Sequence, residues 1–305
     1  MSLPRVGISL GDPSGISLEI TLEALAHREV SSVLTPVLFG DASMPEGPWE
    51  RQVVSHLASR DRQPGKPTKA GGRAQYAYVT AVIEAARQGT IDAICTAPVS
   101  KGAITAAGVH FVGHTEVLAE AFDVDVLMMM DGPKLRVALA TNHLPIAKLS
   151  RALTIPKLVA TLQLLSSSLG KALGRRPSIA VCGLNPHAGD GGVLGLEEQQ
   201  VISPAIARAR KKGVDAHGPF AADGLFARAS SKFPYDVALA MFHDQGLVAV
   251  KTLDFTNTVN VTLGLPVPRT SPDHGVAYDI AGKGLADEMP MVAALLKAAA
   301  FATAR

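Results

Sequence analysis

The chain has 305 residues, 47% hydrophobic and 18% charged, with 29 Lys and Arg against 27 Asp and Glu for a net charge of +2. This length and composition suit roughly two globular domains with a sizeable core and exclude a disordered chain. So small a charge, with 5% aromatic residues and no apolar run longer than six, excludes a broad nucleic-acid face and a membrane-spanning helix.

In chain order, short β-type runs alternate with helix-type runs. RVGISL (5–10) predicts a strand that breaks at the turn GDPSG (11–15), after which Ile16, Ile20 and Leu22 follow at helical spacing. PVLFG (36–40) predicts a second strand. Residues 41–72, rich in Gly, Pro and charge, read as a surface excursion. From Arg73 to Gln88 an apolar face of Tyr76, Val79, Ile83 and Ala86 predicts a helix stopped at Gly89. DAICTAP (92–98) and LRVALAT (135–141) predict buried parallel strands. Thr154 caps a helix with Pro156 in its first turn and Leu158, Leu162, Leu165 and Leu169 in a stripe to Gly170. PSIAVCGL (177–184) and DVALAMF (236–242) predict further strands, and Met291 to Ala304 an Ala-rich helix. The alternation predicts a layered α/β protein with parallel strands; no flexible linker divides it, so two domains would share strands or cross over more than once. Cys95 and Cys182 sit in apolar segments and read as buried, reduced thiols. The opening MSLPRVGISLGDPSG has no long apolar stretch, so no secretory signal is expected and a cytoplasmic location is.

The unusual polar residues follow strands: TAPVSKG, TNHLP, GLNPHAGDGG and FHDQG. In α/β sheets ligands bind at those carboxyl ends. His143, His187 and His243 share no local metal spacing, yet occupy equivalent topological positions. Neutral imidazoles suit Zn, Co or Ni, and three ligands leave a position open for substrate; a hydrogen-bonded structural role is the alternative for each. GHTE (113–116) opens a helix whose N-terminus could hold an anion, or is simply a Thr cap with an acidic first turn. Lys251, Asn260 and Arg269 would suit a phosphate or carboxylate if they converge, and are otherwise solvated polar groups. The glycines of GLNPHAGDGGVLG match neither a Walker loop nor G-x-G-x-x-G.

Together these segments resemble the 4-hydroxythreonine-4-phosphate dehydrogenase family of pyridoxal phosphate biosynthesis, over nearly the whole chain. The resemblance is carried by GDPSG, TAPVSKGAI (96–104), GHTE, HLP (143–145), NPHAGDGG (185–192), GPFAADGLF (218–226), HDQG (243–246) and NVTLGLPVPRTSPDHG (260–275). It implies two α/β/α layered domains with a cleft, like isocitrate and isopropylmalate dehydrogenases. The expected domains are 1–115 with 252–305, and 116–251 with dimer contacts. It implies a homodimer whose divalent metal (Zn, Mg or Co) is held by His143, His187 and His243 drawn from both chains. Substrate contacts map onto His114, Thr115, Lys251, Asn260 and Arg269. DHGVAYDIAGKG (273–284) resembles the adenine-side loop of isopropylmalate dehydrogenases, placing His274, Gly275 and Asp279 near NAD or NADP. Two departures stand out: GDPSGISLE replaces the usual GDPAGIGPE, and the chain is short around 41–72.

The implied reaction is oxidation of 4-phosphooxy-L-threonine with decarboxylation to 3-amino-2-oxopropyl phosphate. A metal beside the reacting hydroxyl lowers its pKa. Asp244 is the candidate for orienting a ligand or serving as base, and Lys101 is a second catalytic candidate; either could instead be supporting structure. The competing readings are a dehydrogenase of phosphorylated threonate or erythronate, or of a dihydrodiol, on the same fold. The intact GHTE argues for a phosphate-bearing substrate over the dihydrodiol. A non-catalytic metal- and phosphoester-binding protein is the reading from another class.

Overall fold

The computed structural model describes residues 2–304 and divides into two compact units. One runs to Asp125 and resumes over Leu265–Thr303; the other is Val126–Gly264. The sequence reading cut the chain after 115 and 251; its end residues Met1 and Arg305 lie outside the described residues. Helix His114–Phe122 belongs to the first unit because Leu118, fully buried, packs into that core with Val79, Val82 and Ile83. The segment after 252 stays in the second unit through a strand, Val259–Leu263, that pairs there with Leu127–Asp131.

The strands are β1 (Arg5–Ser9), β2 (Thr35–Asp41), β3 (Glu50–Ser55), β4 (Ala93–Thr96), β5 (Leu127–Asp131), β6 (Arg136–Leu139), β7 (Ser178–Cys182), β8 (Asp215–Phe220), β9 (Val237–Ala240), β10 (Val259–Leu263) and β11 (Arg269–Ser271). In the first unit the order is β3-β2-β1-β4-β11, all parallel. Helix Lys69–Arg87 covers this sheet with Val79, Val82 and Ile83. The strand order reverses at β1, with β2 on one side and β4 on the other. The GDPSG turn and the loop after β4 therefore meet at the switch point where α/β sheets bind ligands. Their backbones touch: Asp12 N donates to Pro98 O (3.0 Å), and a Cβ on Gly11, at φ +63°, would stand 2.2 Å from that oxygen. Only glycine fits there.

In the second unit the order is β10-β5-β6-β9-β7-β8. β6, β9, β7 and β8 are parallel, but β5 runs against both β6 and β10, so the expectation of parallel strands fails at β5. Helix Ile155–Leu173 buries Leu158, Leu162, Leu165 and Leu169 and is capped by Thr154 Oγ1. It runs past Gly170 and ends at Gly174 in the left-handed conformation usual for a glycine stop.

Other boundaries shift for physical reasons. The 41–72 excursion contains β3, an edge strand whose charged, half-exposed residues hide its alternation. In helix Lys69–Arg87 the fully buried aromatic is Tyr78, with Tyr76 at the margin. Both cysteines are free and buried, and desolvation pushes their thiols up to about 12, so neither carries thiolate chemistry. No single helix among the described residues is long and apolar enough to cross a membrane.

Candidate active site

In the first unit a cationic group forms at the sheet end. Arg269, on β11 beside β4, is 3% exposed and donates through Nη2 to Thr96 Oγ1 at 2.6 Å. Burial pulls its guanidinium down to about 10, a value that still leaves it charged at neutral pH. His114 is the first residue of helix His114–Phe122 and Thr115 the second, after Gly113. Burial first, then the positive charges of Arg269 and Lys101, hold the His114 imidazole well below its usual range. Its Nε2 is buried with no hydrogen-bond partner among the described residues. Lys101 and Glu116 converge on Gly113, where an added Cβ would lie 3.7 Å from Lys101 Nζ and 2.6 Å from Glu116 Oε2. The structure thus brings together His114, Arg269 and Lys101. It sets Lys101, expected as a catalytic group, among cations beside a helix N-terminus.

The loop from Asp273 folds over the GDPSG turn. Val276 O accepts from Ile16 N (3.0 Å), Gly282 N donates to Glu19 Oε2 (2.8 Å), and Tyr278 OH donates to Asp12 Oδ2 (2.5 Å). Asp12 is 1% exposed, and burial raises its carboxyl pKa despite the lowering effect of Tyr278 and nearby donors. The sequence reading missed Asp12 and Tyr278; the available signal was an acid inside an otherwise small-residue turn. His274 faces its neighbour's carbonyl, with Nδ1 3.0 Å from Gly275 O, and its buried Nε2 makes no hydrogen bond among the described residues; Gly275 and Asp279 are exposed. The departures in GDPSGISLE have a use. Ser14 Oγ donates to Lys66 O (3.1 Å), tying down the short excursion, and Ser17 Oγ donates to Pro98 O (2.8 Å) across the switch point.

In the second unit the three histidines follow β6, β7 and β9, with His143 and His187 in loop or turn segments and His243 as the first residue of helix His243–Leu253. The rings of His143 and His243 lie 5.5 Å apart, centre to centre, and His243 Nδ1 is 2.6 Å from Asp244 Oδ1. That contact occupies Nδ1 and leaves Nε2 available, the arrangement typical of a carboxylate-oriented metal ligand. His187 begins a left-handed run: φ is 53° at His187, 50° at Ala188, 82° at Gly189, 44° at Asp190 and 64° at Gly191. Each non-glycine residue held this way costs roughly 1–2 kcal/mol, and such strain concentrates at functional sites. Among the described residues no three metal-binding side chains gather closely enough to hold an ion. Lys251 lies further along helix His243–Leu253, with Nζ 5.6 Å from the Phe255 ring centre. Asn260, on β10, keeps a buried Oδ1 that makes no hydrogen bond among the described residues.

Comparisons with known proteins agree with this geometry. The family model described as pyridoxal phosphate biosynthetic protein PdxA matches residues 16–298. A 4-hydroxythreonine-4-phosphate dehydrogenase of Geobacter metallireducens is 42% identical over 328 residues, covering 98% of this chain and 96% of that protein. A D-threonate 4-phosphate dehydrogenase of Cupriavidus necator is 39% identical, covering 99% and 98%. The crystal structure of a 4-hydroxythreonine-4-phosphate dehydrogenase from Burkholderia phymatum superposes with a TM-score of 0.82 at 38% identity over 99% of each chain. With the family model matched over residues 16–298 and relatives near 40% identical over nearly the whole chain, the chain belongs to the PdxA family and is an oxidoreductase.

Proposed function

We propose that the chain oxidises 4-phosphooxy-L-threonine, with decarboxylation to 3-amino-2-oxopropyl phosphate, in pyridoxal 5'-phosphate synthesis. The observation that carries this reading is the approach of two cations, Arg269 and Lys101, to the neutral imidazole of His114. A buried guanidinium, a neighbouring lysine and a buried His114 Nε2 with no hydrogen-bond partner among the described residues support an anion as the ligand here. Arg269 offers a planar fork to two phosphate oxygens, and the helix N-terminus at Thr115 offers backbone N–H groups. Lys101 adds charge to the same phosphate, which takes it out of proton transfer. Lys251 and Asn260 are the further substrate contacts.

His143, His187 and His243 would hold a divalent Zn, Mg or Co ion. The donor set fits: His143 and His243 stand side by side, and Asp244 occupies His243 Nδ1. Such an ion would supply Lewis acidity toward the reacting hydroxyl, and NAD or NADP would be the hydride acceptor. Asp244 orients His243. His274, Gly275 and Asp279 would meet the adenine side of the cofactor, on a loop anchored to the switch-point turn through Tyr278 and Asp12.

Two features support a homodimer with a metal site shared between subunits. The three histidines do not gather within one chain, and exposed apolar residues flank each: Leu144 and Ile146 by His143, Val193, Leu194 and Leu196 past His187, and Val248 past His243. Apolar side chains in that number suit cover by a second copy. Two buried free thiols suit the reducing cytoplasm.

The test is nicotinamide reduction by the purified protein with a panel of phosphorylated four-carbon acids. Turnover should be fastest with 4-phosphooxy-L-threonine. Faster turnover of D-threonate 4-phosphate would transfer the chain to the second reading, which the Cupriavidus relative favours. No turnover of any acid despite bound metal would leave a binding protein.

A further inference from the structure

Three side chains cross-brace the strand ends that carry the histidines. Thr141 Oγ1, two residues before His143, donates to Met241 O (2.7 Å) and ties the end of β6 to the end of β9. Gln245, two residues after His243, accepts from Met241 N through Oε1 (2.7 Å) and donates through Nε2 to Gly183 O (2.7 Å), tying β9 to β7. Glu198 takes the other side of the same segment. Its carboxylate, on a residue 3% exposed, accepts from Leu184 N (2.7 Å), Asn185 N (2.8 Å) and Asn185 Nδ2 (2.9 Å). The backbone of 183–185 is thus gripped on both faces immediately before the left-handed run that begins at His187. Space is tight: a Cβ on Gly183 would meet Ala188 Cα at 2.8 Å, and one on Gly189 would meet Glu198 Oε2 at 2.6 Å.

We propose that Gln245 and Glu198 are positioning residues that fix the His187 turn and the β9 end carrying His243, so that each imidazole is presented in a set orientation to the metal site it serves. This rests on the reading of His187 and His243 as metal ligands. The amide of Gln245 is needed at both ends at once, one oxygen accepting and one nitrogen donating. Glu198 satisfies the backbone N–H groups of Leu184 and Asn185 that lead into the left-handed turn. The grip is directional, so it constrains orientation as well as stability.

The experiment is cobalt(II) titration of the metal-free full chain, read by visible absorption, with thermal melting of the metal-free protein alongside. Gln245→Ala should weaken cobalt binding roughly ten- to hundredfold and alter the band shape. Gln245→Glu should not rescue it, because a carboxylate oxygen would then face Gly183 O. Glu198→Gln keeps an acceptor for Leu184 N and Asn185 N and should recover most of the affinity that Glu198→Ala loses. His187→Ala is the reference. Wild-type affinity and spectrum in Gln245→Ala, with or without a lower melting temperature, overturns the brace while the histidine reading stands. If wild-type protein takes up no cobalt, or His187→Ala takes it up equally well, the histidine reading falls and the brace with it.

Discussion

The two units hold their polar groups in opposite ways. In the first, Arg269 is almost wholly enclosed and His114 stays neutral beside it. In the second, His143 and His187 are exposed on loops, next to apolar residues as bare as Ile146 and Val193, each 80% exposed. An anion site works best when cations are fixed in a low-dielectric surround before the ligand arrives, because no reorganisation is then needed. Three neutral imidazoles have no such need and can be assembled late. The difference separates an enclosed cationic cluster in the first unit from a histidine set in the second whose members, among the described residues, do not gather closely enough to hold an ion.

Breaking the metal side should have the largest effect. Chelation is expected to abolish turnover, and Zn, Co or Mg to restore it. Inactive His→Ala variants at 143, 187 and 243, mixed pairwise under subunit exchange, sharpen the contrast. At least one pairing should recover activity. His143→Ala with His243→Ala should stay dead, because those rings sit together in one chain. If every pairing stays inactive despite proven exchange, the site belongs to a single chain.

How legible this was in the sequence depended on burial. Strands β1, β4, β6, β7 and β9 were readable because both faces are covered and their apolar runs are continuous. β3 was not, since Glu50, Arg51 and Gln52 on an edge look like loop. β5, rich in Met, and β11, three residues long, carry too little pattern to register. The histidine loops were legible from their place after strands. The cross-bracing by Gln245 and Glu198 was not, because a buried carboxylate serving backbone amides leaves no periodic trace. Nor could spacing reveal that Asp12 and Tyr278, 266 positions apart, share a proton contact.

A smaller loss is expected at the enclosed cation. A charge-assisted hydrogen bond contributes roughly 1.5–3 kcal/mol, and about 1.4 kcal/mol is tenfold in binding. Arg269→Ala should therefore weaken the phosphorylated substrate about tenfold or more, with little change for NAD. Arg269→Lys should recover part, since it keeps the charge and loses the fork. Steady-state kinetics with phosphorylated and dephosphorylated substrates decide the point. Equal losses for both would mean that Arg269 does not read the phosphate.

The smallest effect is a pH slope, and it tests whether the first unit's pocket is strained by its own cations. The folded-state pKa of His114 lies well below 6.5, driven by burial and then by Arg269 and Lys101. Above pH 6.5 the ring is neutral folded or unfolded and contributes no slope. As pH falls below 6.5 the unfolded chain gains a proton that the folded chain refuses, so stability declines on the acid side. One such group contributes at most about 1.4 kcal/mol per pH unit. Urea midpoints measured stepwise from neutral to mildly acidic pH should fall faster for the wild type than for His114→Asn, which has nothing to titrate there. Inorganic phosphate should flatten the wild-type slope, because an anion beside the ring offsets the two cations and eases its protonation. Parallel slopes in wild type and variant, unchanged by phosphate, would show that His114 is neither held neutral by these neighbours nor within reach of the anion they attract.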